Sequence, residues 1–581
     1  MQKPYILLMY LQRMVYKRTF EYLGNHGLLT IAACLEERGY RARVFTGITT
    51  DGLEIFRKEN ENYPVCAVGL YCDYDNQSAV EGLSSLLKIS GVHVFTGGPQ
   101  TLHLGEEFLR NSGCDFLIRG DGEETLFELL EFIVYGRGKI DDIKGLMYLK
   151  RDGKSVATEE RTPIRDLDSL PFPSSSLILG DKGGYNLPVL SARGCPYRCA
   201  FCFEGGNTKA LRLRSVDSVK MEIRQRLEEN PDIKYVWFVD DTFTLNYKRT
   251  VEFCQALKEL RKERDFVWFC EGHGGMLARW PELISMMKDA GMVRMQMGME
   301  SGWEPALEMY GKEATVAQVE EVIHLCRDAD LPQLAGNFII GGPYETAETL
   351  ELTSSFVERL IIDTPGLLDI SSTFIVPLPN TAISNCPEKF GLTLIDGDSL
   401  TSLEDFPVTE TAELKINDLS LARSVFLKRV FNTMKNLFKT GRIPHKKIKK
   451  HFELALNYGI ASTWYKYLYS RDSFVRPYFT MLIKTPAVRI EEIPGGLIKN
   501  YYPCRVFDMA ITVNRSGGYP VLGETLLSPL EYELLLLCSG KIRLSEICEI
   551  IGNKFSDESY CMIEKLLKDF EDRHWILFFP D

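Results

Sequence analysis

Six short apolar runs alternate with helical patterns between residues 187 and 376, and this rhythm constrains the fold more than any other feature of the sequence. The runs fall at 187–190, 234–239, 266–271, 292–299, 333–340 and 369–376, with helical periodicity at 216–227, 249–260, 281–290 and 316–327. Strand and helix in regular alternation predict parallel βα units. Most of the runs lead into polar or glycine-rich residues, which suits chemistry placed at the C-terminal strand ends. Six units rather than eight predict an open, partial (β/α)6 barrel. A different βα rhythm fills residues 4–135, with strands expected at 5–10, 42–45, 65–70, 92–96 and 115–118 and helices at 28–37 and 79–87. That pattern predicts a doubly wound sheet whose ligand lies past the strand C-termini, where the strand order switches. Loops suited to that place are Gly24-Asn25-His26-Gly27, Tyr71-Cys72-Asp73 and Thr96-Gly97-Gly98-Pro99-Gln100.

Fifteen cysteines are present, and most sit singly among apolar residues, as Cys34 and Cys254 do. Those read as buried small hydrophobes. An odd number in a chain without an export signal also argues against a disulfide framework. Three cysteines differ. The segment Ser191-Ala192-Arg193-Gly194-Cys195-Pro196-Tyr197-Arg198-Cys199-Ala200-Phe201-Cys202 sets thiols at C-x3-C-x2-C spacing, so one tight loop can aim three of them together. A structural zinc would need a fourth ligand, and no second CxxC and no nearby histidine offers one. Iron–sulfur clusters are normally held by four cysteines, so three ligands would leave one iron open.

On these residues the chain resembles the radical S-adenosylmethionine (SAM) superfamily. The resemblance implies that Cys195, Cys199 and Cys202 hold a [4Fe–4S] cluster whose open iron chelates the amino and carboxylate groups of SAM. It implies further that an electron from the cluster cleaves SAM to a 5′-deoxyadenosyl radical. Phe201 matches the aromatic residue common before the last cysteine. Phe238-Val239-Asp240-Asp241-Thr242-Phe243 is similar to a family segment near the SAM amino group, which makes Asp240 a cofactor contact. Asp241 reads equally as a helix N-cap. Gly298-Met299-Glu300-Ser301-Gly302 resembles the ribose-contacting Glu-Ser-Gly, and a carboxylate such as Glu300 can accept from a sugar diol. Ile340-Gly341-Gly342-Pro343-Tyr344-Glu345-Thr346 resembles the signature beside the adenine, where Gly341 and Gly342 would allow close backbone approach. In Leu211-Arg212-Leu213-Arg214-Ser215, Arg214 either pairs with a carboxylate or stays solvated.

The resemblance continues N-terminally. Thr96-Gly97-Gly98-Pro99, the run from Ile118 through Gly122 to Leu126, and Leu170-Pro171-Phe172-Pro173 resemble the cobalamin-binding domain that precedes many radical SAM modules. Cobalamin is thereby implied, with Tyr71, Gly97, Gly98, Pro99 and Gln100 facing the corrin, and the match covers roughly residues 1–380. The D-x-H-x-x-G motif that supplies a histidine to cobalt elsewhere is absent, which leaves open a domain that kept the fold without the ligand. His26 and His103 read as cap or surface residues rather than ligands. The expected organisation is a Rossmann-like domain at 1–145, a linker at 146–186, a partial TIM-type barrel at 187–380, a helical region at 381–500 and a small domain at 501–581.

After Pro379 comes the acidic Glu404-Asp405 and a long helical region, about 411–470. There Leu427, Val430, Phe431, Met434, Leu437 and Phe438 share a face, while Lys428, Arg429, Lys435, Lys439, Arg442 and four lysines from Lys446 to Lys450 interleave with no acid from Phe426 through Lys450. This is either a core-facing helix with a solvated basic face or a surface for an anionic membrane or acidic peptide. In 501–581, Ser528 and Pro529 start one helix, others follow at 544–551 and 557–572, and 575–579 reads as a strand. The plan resembles the winged-helix, PqqD-like domains that bind leader peptides of modified peptides, and serves equally as a structural cap.

With 80 acidic against 68 basic side chains the formal charge is −12, which disfavours a nucleic-acid binder. No apolar run reaches the ~18 residues of a transmembrane helix, and the first residues lack the form of a secretory signal. A cytoplasmic protein is expected. The resemblance implies C-methylation of an unactivated carbon in a peptide or small natural product, one SAM giving the methyl group and another the radical, with an external electron donor such as flavodoxin or ferredoxin. The alternatives are a cobalamin-free cyclisation or epimerisation, with Cys270 and Cys386 as conceivable hydrogen donors, and a non-catalytic cobalamin or SAM sensor. The intact cysteine loop argues against the sensor, and the lack of a further cysteine triad argues against methylthiotransfer.

Overall fold

A computed structural model describes residues 3–12, 24–180, 186–208, 210–395, 406–471, 473–516, 519–555 and 560–581. The chain forms two compact units, Met1–Arg442 and Ile443–Asp581. Glu404 and Asp405 lie outside the described residues, as does the start of the helix expected at 557–572.

The first unit opens with a seven-stranded sheet. Its strands are β1 (Tyr5–Leu11), β2 (Arg41–Gly47), β3 (Val65–Tyr71), β4 (His93–Gly97), β5 (Phe116–Ile118), β6 (Leu146–Leu149) and β7 (Ser155–Ala157), in the order β2-β1-β3-β4-β5-β6-β7. β1 to β5 run parallel, whereas β6 and β7 are antiparallel additions. The order reverses between β1 and β3, so their C-terminal ends diverge and leave a crevice. Ile6, Leu7, Leu8 and Met9 are all buried, as expected of a strand covered on both faces. The covering helices are α1 (His26–Glu37), α2 (Thr49–Asn62), α3 (Gln77–Ile89), α4 (Glu106–Ser112) and α5 (Gly122–Tyr135). Asn25 caps α1 by accepting from Leu28 N (3.0 Å).

The second sheet has six strands, all parallel: β8 (Leu187–Val189), β11 (Tyr235–Phe238), β12 (Val267–Gly272), β13 (Met292–Glu300), β14 (Gln333–Ile340) and β15 (Leu368–Phe374). Their spatial order follows chain order. Between β8 and β11 a two-stranded ribbon, β9 (Ala192–Arg193) with β10 (Arg212–Leu213), closes the base of the cysteine loop. The helices of this part are α6 (Phe203–Asn207), α7 (Val216–Glu229), α8 (Tyr247–Glu263), α9 (Gly274–Arg279), α10 (Glu282–Asp289), α11 (Glu304–Met309), α12 (Val316–Asp328), α13 (Ala347–Asp363), α14 (Ala382–Asn385) and α15 (Ile416–Lys439). Ser215, Asn246, Thr315 and Thr346 each cap the helix that follows.

α15 belongs to this unit. It buries Leu419, Phe426, Val430, Met434 and Leu437, and its Arg429 pairs with Glu351 (2.5 Å) and Glu358 (2.6 Å) of α13. Part of the expected basic face is therefore paired rather than free.

The second unit begins with three helices, α16 (His445–Tyr458), α17 (Thr463–Arg471) and α18 (Val475–Lys484). β18 (Tyr502–Arg505) pairs antiparallel with the closing strand β22 (Ile576–Phe579). Between them stand α19 (Met509–Thr512), a meander of β19 (Val513–Ser516), β20 (Tyr519–Leu522) and β21 (Thr525–Leu526), and the helices α20 (Pro529–Leu537), α21 (Leu544–Phe555) and α22 (Tyr560–Asp572). Ser528 and Glu531 form a capping box on α20. Sequence reading missed the meander, because its strands are short and interrupted by Gly and Pro. No described helix is long and apolar enough to cross a membrane.

Candidate active site

The cysteine loop is launched from a fixed platform. Asp240, at the end of β11, accepts from Ser191 N (2.6 Å), from Ala192 N (3.2 Å) and from the Ser191 hydroxyl. Both of its oxygens are thus committed to the chain leading into the loop. These bonds make Asp240 a residue that positions the start of the loop. Gly194 sits at φ +86°, where a Cβ would stand 2.6 Å from Thr208 Cγ2. Past the last cysteine, Cβ atoms on Gly205 and Gly206 would each come within 2.5 Å of a carbonyl oxygen, those of Cys199 and Asn380. This Gly-Gly pair lets α6 pack backbone against backbone on the loop.

Cys195 is buried, and Cys199 and Cys202 are half-buried. Burial pushes all three thiols up, Cys199 to about 11, and the three also repel one another's charge. Left to itself the loop disfavours thiolates; bound metal would reverse that preference. Among the described residues no trio of His, Cys, Asp and Glu converges to hold one metal ion. The fit to a cluster rests on the donor chemistry, three soft sulfur ligands in a single loop, and on a buried cation beside them. That cation is Lys312. Burial opposes its charge, but Glu300, Cys199 and Cys202 outweigh burial and raise its pKa.

Lys312 Nζ pairs with Glu300 Oε1 at 2.7 Å. Glu300 ends β13 at φ +59°, a left-handed conformation that a non-glycine residue adopts at some cost. A Cβ on Gly298 would lie 2.0 Å from Glu300 Oε1 and 2.6 Å from Lys312 Nζ, so this pair requires glycine there. Ser301 faces elsewhere: its hydroxyl lies 3.3 Å from Thr353 Oγ1 and accepts from Trp303 N (3.1 Å). At the end of β14, Gly341 has φ +81° and donates its N–H to Glu345. A Cβ on Gly342 would meet Tyr310 OH at 2.3 Å. Phe201 meets the same tyrosine edge-on, with centroids 4.9 Å apart. Glu204 and Glu271 are both pushed up to about 7, chiefly by burial and then by the charge of Asp241. Cys270 is fully buried against Met292 (3.9 Å between sulfurs) and feels Cys254 of α8.

A cavity of about 900 Å³ joins the two sheets' strand ends. Tyr71, Gly97, Gly98 and Pro99 line one side, and Arg193, Gly194, Phe203 and Glu204 of the cysteine loop line another. Gly98 has φ +107°, and a Cβ there would stand 2.6 Å from Cys72 O, so a cradle closed to other residues faces the cavity. Gln100 does not line it; its side chain is buried and donates to Gln77 Oε1 (3.1 Å). Asp121 and Glu123 of the Gly-Asp-Gly-Glu turn are paired with Arg193 and Arg212 from the ribbon. His26 and Arg214 are neither free caps nor solvated: both are buried and both reach Glu222 of α7. Lys312 and Glu222 escaped sequence reading, since neither belongs to a periodic pattern or a recognisable motif.

Comparison with known proteins gives this geometry a context. Residues 189–357 match the family model of the Radical SAM superfamily. The match includes the three cysteines, Glu300, Lys312 and the two glycines after β14. Among its relatives, an uncharacterized methyltransferase of Pyrococcus horikoshii is 33% identical over 298 residues, 50% of this chain and 62% of the relative. An anaerobic magnesium-protoporphyrin IX monomethyl ester cyclase of Rubrivivax gelatinosus is 30% identical over 248 residues, 41% of this chain and 44% of the relative. The matched segments thus span about half the length of these relatives. The solved structure of the cobalamin-dependent SAM radical enzyme OxsB, with aqua-cobalamin and SAM bound, is similar in fold with a TM-score of 0.62 at 17% identity, covering 98% of this chain and 80% of OxsB.

Proposed function

We propose that this chain is a radical SAM enzyme that binds cobalamin and C-methylates an unactivated carbon of a peptide or natural-product substrate. One observation carries the reading: the glycine turn of the first sheet and the residues flanking the cysteine loop line the same cavity. In this reading the first sheet is a Rossmann-like cobalamin domain and the second a partial barrel. Cys195, Cys199 and Cys202 hold the [4Fe–4S] cluster, while Glu300, Gly341 and Gly342 position SAM. Tyr71, Gly97, Gly98 and Pro99 face the corrin. When bound, the cluster supplies the electron that splits SAM, and the corrin carries the methyl group.

The chain's own part is positioning. Asp240 fixes the approach to the cysteine loop, and Lys312 offsets the thiolate charge from within a buried pair. Glu204, poised near neutrality, can hold a proton at the cavity wall. Phe201 packs edge-on against the buried Tyr310, which in turn meets Gly342. The small domain at 501–581 is read as PqqD-like, a docking module for a leader peptide, and the reductant as an external flavodoxin or ferredoxin. Similarity to a cyclase keeps ring closure as the second reading. Anaerobic reconstitution with iron and sulfide, with and without hydroxocobalamin, tests the proposal. Retained corrin and 5′-deoxyadenosine formed from SAM and reductant are expected. Radical cleavage without corrin retention would remove methyl transfer and favour ring closure.

A further inference from the structure

His273 carries two buried ring nitrogens that no group among the described residues satisfies. It directly follows β12, is 6% exposed, and donates its backbone N–H to Thr244 Oγ1 (3.0 Å). Its imidazole lies flat on Tyr197, with centroids 3.8 Å apart and planes within 8°. Tyr197 stands in the cysteine loop between Cys195 and Cys199. Stacking alone calls only for an aromatic ring, and phenylalanine would provide it without leaving a polar atom unmet. An unsatisfied buried donor costs more than a typical hydrogen bond gains, so imidazole at this point calls for a partner that the described residues do not supply. Tyr197, the ring on which His273 lies, stands between two of the three cysteines, which makes the group they would hold the partner this placement suggests.

We propose that His273 is a positioning residue for the iron–sulfur cluster, holding Tyr197 in place and donating one ring N–H to a cluster sulfur. The inference rests on the iron–sulfur reading above and adds the residue that tunes the cluster. A neutral imidazole has one N–H to give. Hydrogen bonds to the sulfurs help set a cluster's potential, and a donor favours the reduced, more negative state.

The test is the midpoint potential of the reconstituted full-length chain, followed by EPR. His273→Phe keeps the stack and removes the N–H. Iron and sulfide loading should match wild type, while the reduction equilibrium shifts about tenfold toward the oxidised form, ~59 mV for a one-electron couple. His273→Gln, which returns a donor without the ring, should recover part of that shift. An unchanged potential in fully loaded His273→Phe overturns the proposal. Should the Phe variant fail to load, wild-type protein labelled with 15N-histidine decides: a 15N coupling to the reduced cluster in pulsed EPR supports the proposal, and its absence overturns it. Wild type that takes up no cluster overturns the iron–sulfur reading and the proposal with it.

Discussion

Replacing Glu222 with glutamine probes how the two sheets of the first unit are joined. The carboxylate is fully buried on α7 and accepts from Arg214, from Arg226 Nη1 (3.0 Å) and from His26 Nε2 (3.1 Å). The same arginines grip the strand that leads to the cysteine loop, Arg214 donating to Leu190 O (2.9 Å) and Arg226 to Pro188 O (2.6 Å). One charge therefore links α1 of the first sheet to β8 of the second. Glutamine keeps the volume and leaves two buried guanidiniums without a counter-charge, a loss of about 3–5 kcal/mol. In urea unfolding of the metal-free chain at pH 7, followed by tryptophan fluorescence, the midpoint should fall by up to ~1 M. Burial opposes the charge of Glu222, but His26, Arg226 and Arg214 hold its carboxyl well below the usual 4.5. Its contribution is therefore complete above pH 4.5 and fades as the pH falls further. Between pH 7 and pH 3 the gap between wild type and variant should close by about 2 kcal/mol, from ~1.4 kcal/mol per pH unit below the ordinary value. A loss under ~1 kcal/mol at pH 7, or an equal gap at both pH values, refutes charge pairing as the bond at this junction.

Other outcomes follow from the same geometry. Gly298→Ala should break the Glu300–Lys312 pair, because its Cβ would fall 2.0 Å from Glu300 Oε1; SAM binding by calorimetry should weaken at least tenfold with iron loading unchanged, and unchanged affinity contradicts the placement. Gly98→Ala, at φ +107° and against Cys72 O, should lose hydroxocobalamin in gel filtration while still cleaving SAM. Full corrin retention would deny that this turn faces it. In the metal-free chain Cys199, raised to about 11, should have roughly hundredfold less thiolate at pH 8 than an ordinary thiol. Greater intrinsic nucleophilicity offsets part of this, so alkylation read by peptide mass spectrometry should run about tenfold slower than at exposed Cys561. Equal rates would contradict burial of the loop.

Much of the architecture was legible because apolar runs and turn residues obey local rules. The strand at Gln333–Ile340 and the helix starting at Val316 follow from periodicity alone, and the structure adds the Thr315 cap. The cysteine spacing and the glycine turns were legible for the same reason, since backbone geometry demands those residue types. Side-chain direction was not. Asp240 and Asp241 are adjacent and chemically identical, yet only the first turns back to clamp Ser191, and that choice depends on where β8 lies. Gln100 lies next to the cavity-lining Pro99 but points to Gln77, a contact across 23 residues. Lys312, His26 and Glu222 are single residues whose meaning comes from side-chain partners that no periodic pattern marks, His26 and Glu222 meeting across 196 residues. The pair Tyr197 and His273 is likewise invisible until folding brings two loops into register.

Counting iron in the oxygen-protected chain tests the central claim most directly. After reconstitution with iron and sulfide, wild type should carry about four irons per chain and release 5′-deoxyadenosine from SAM when reduced, and Cys199→Ala should do neither. Uptake of zinc alone, or equal iron and equal SAM cleavage in the alanine variant, would contradict it.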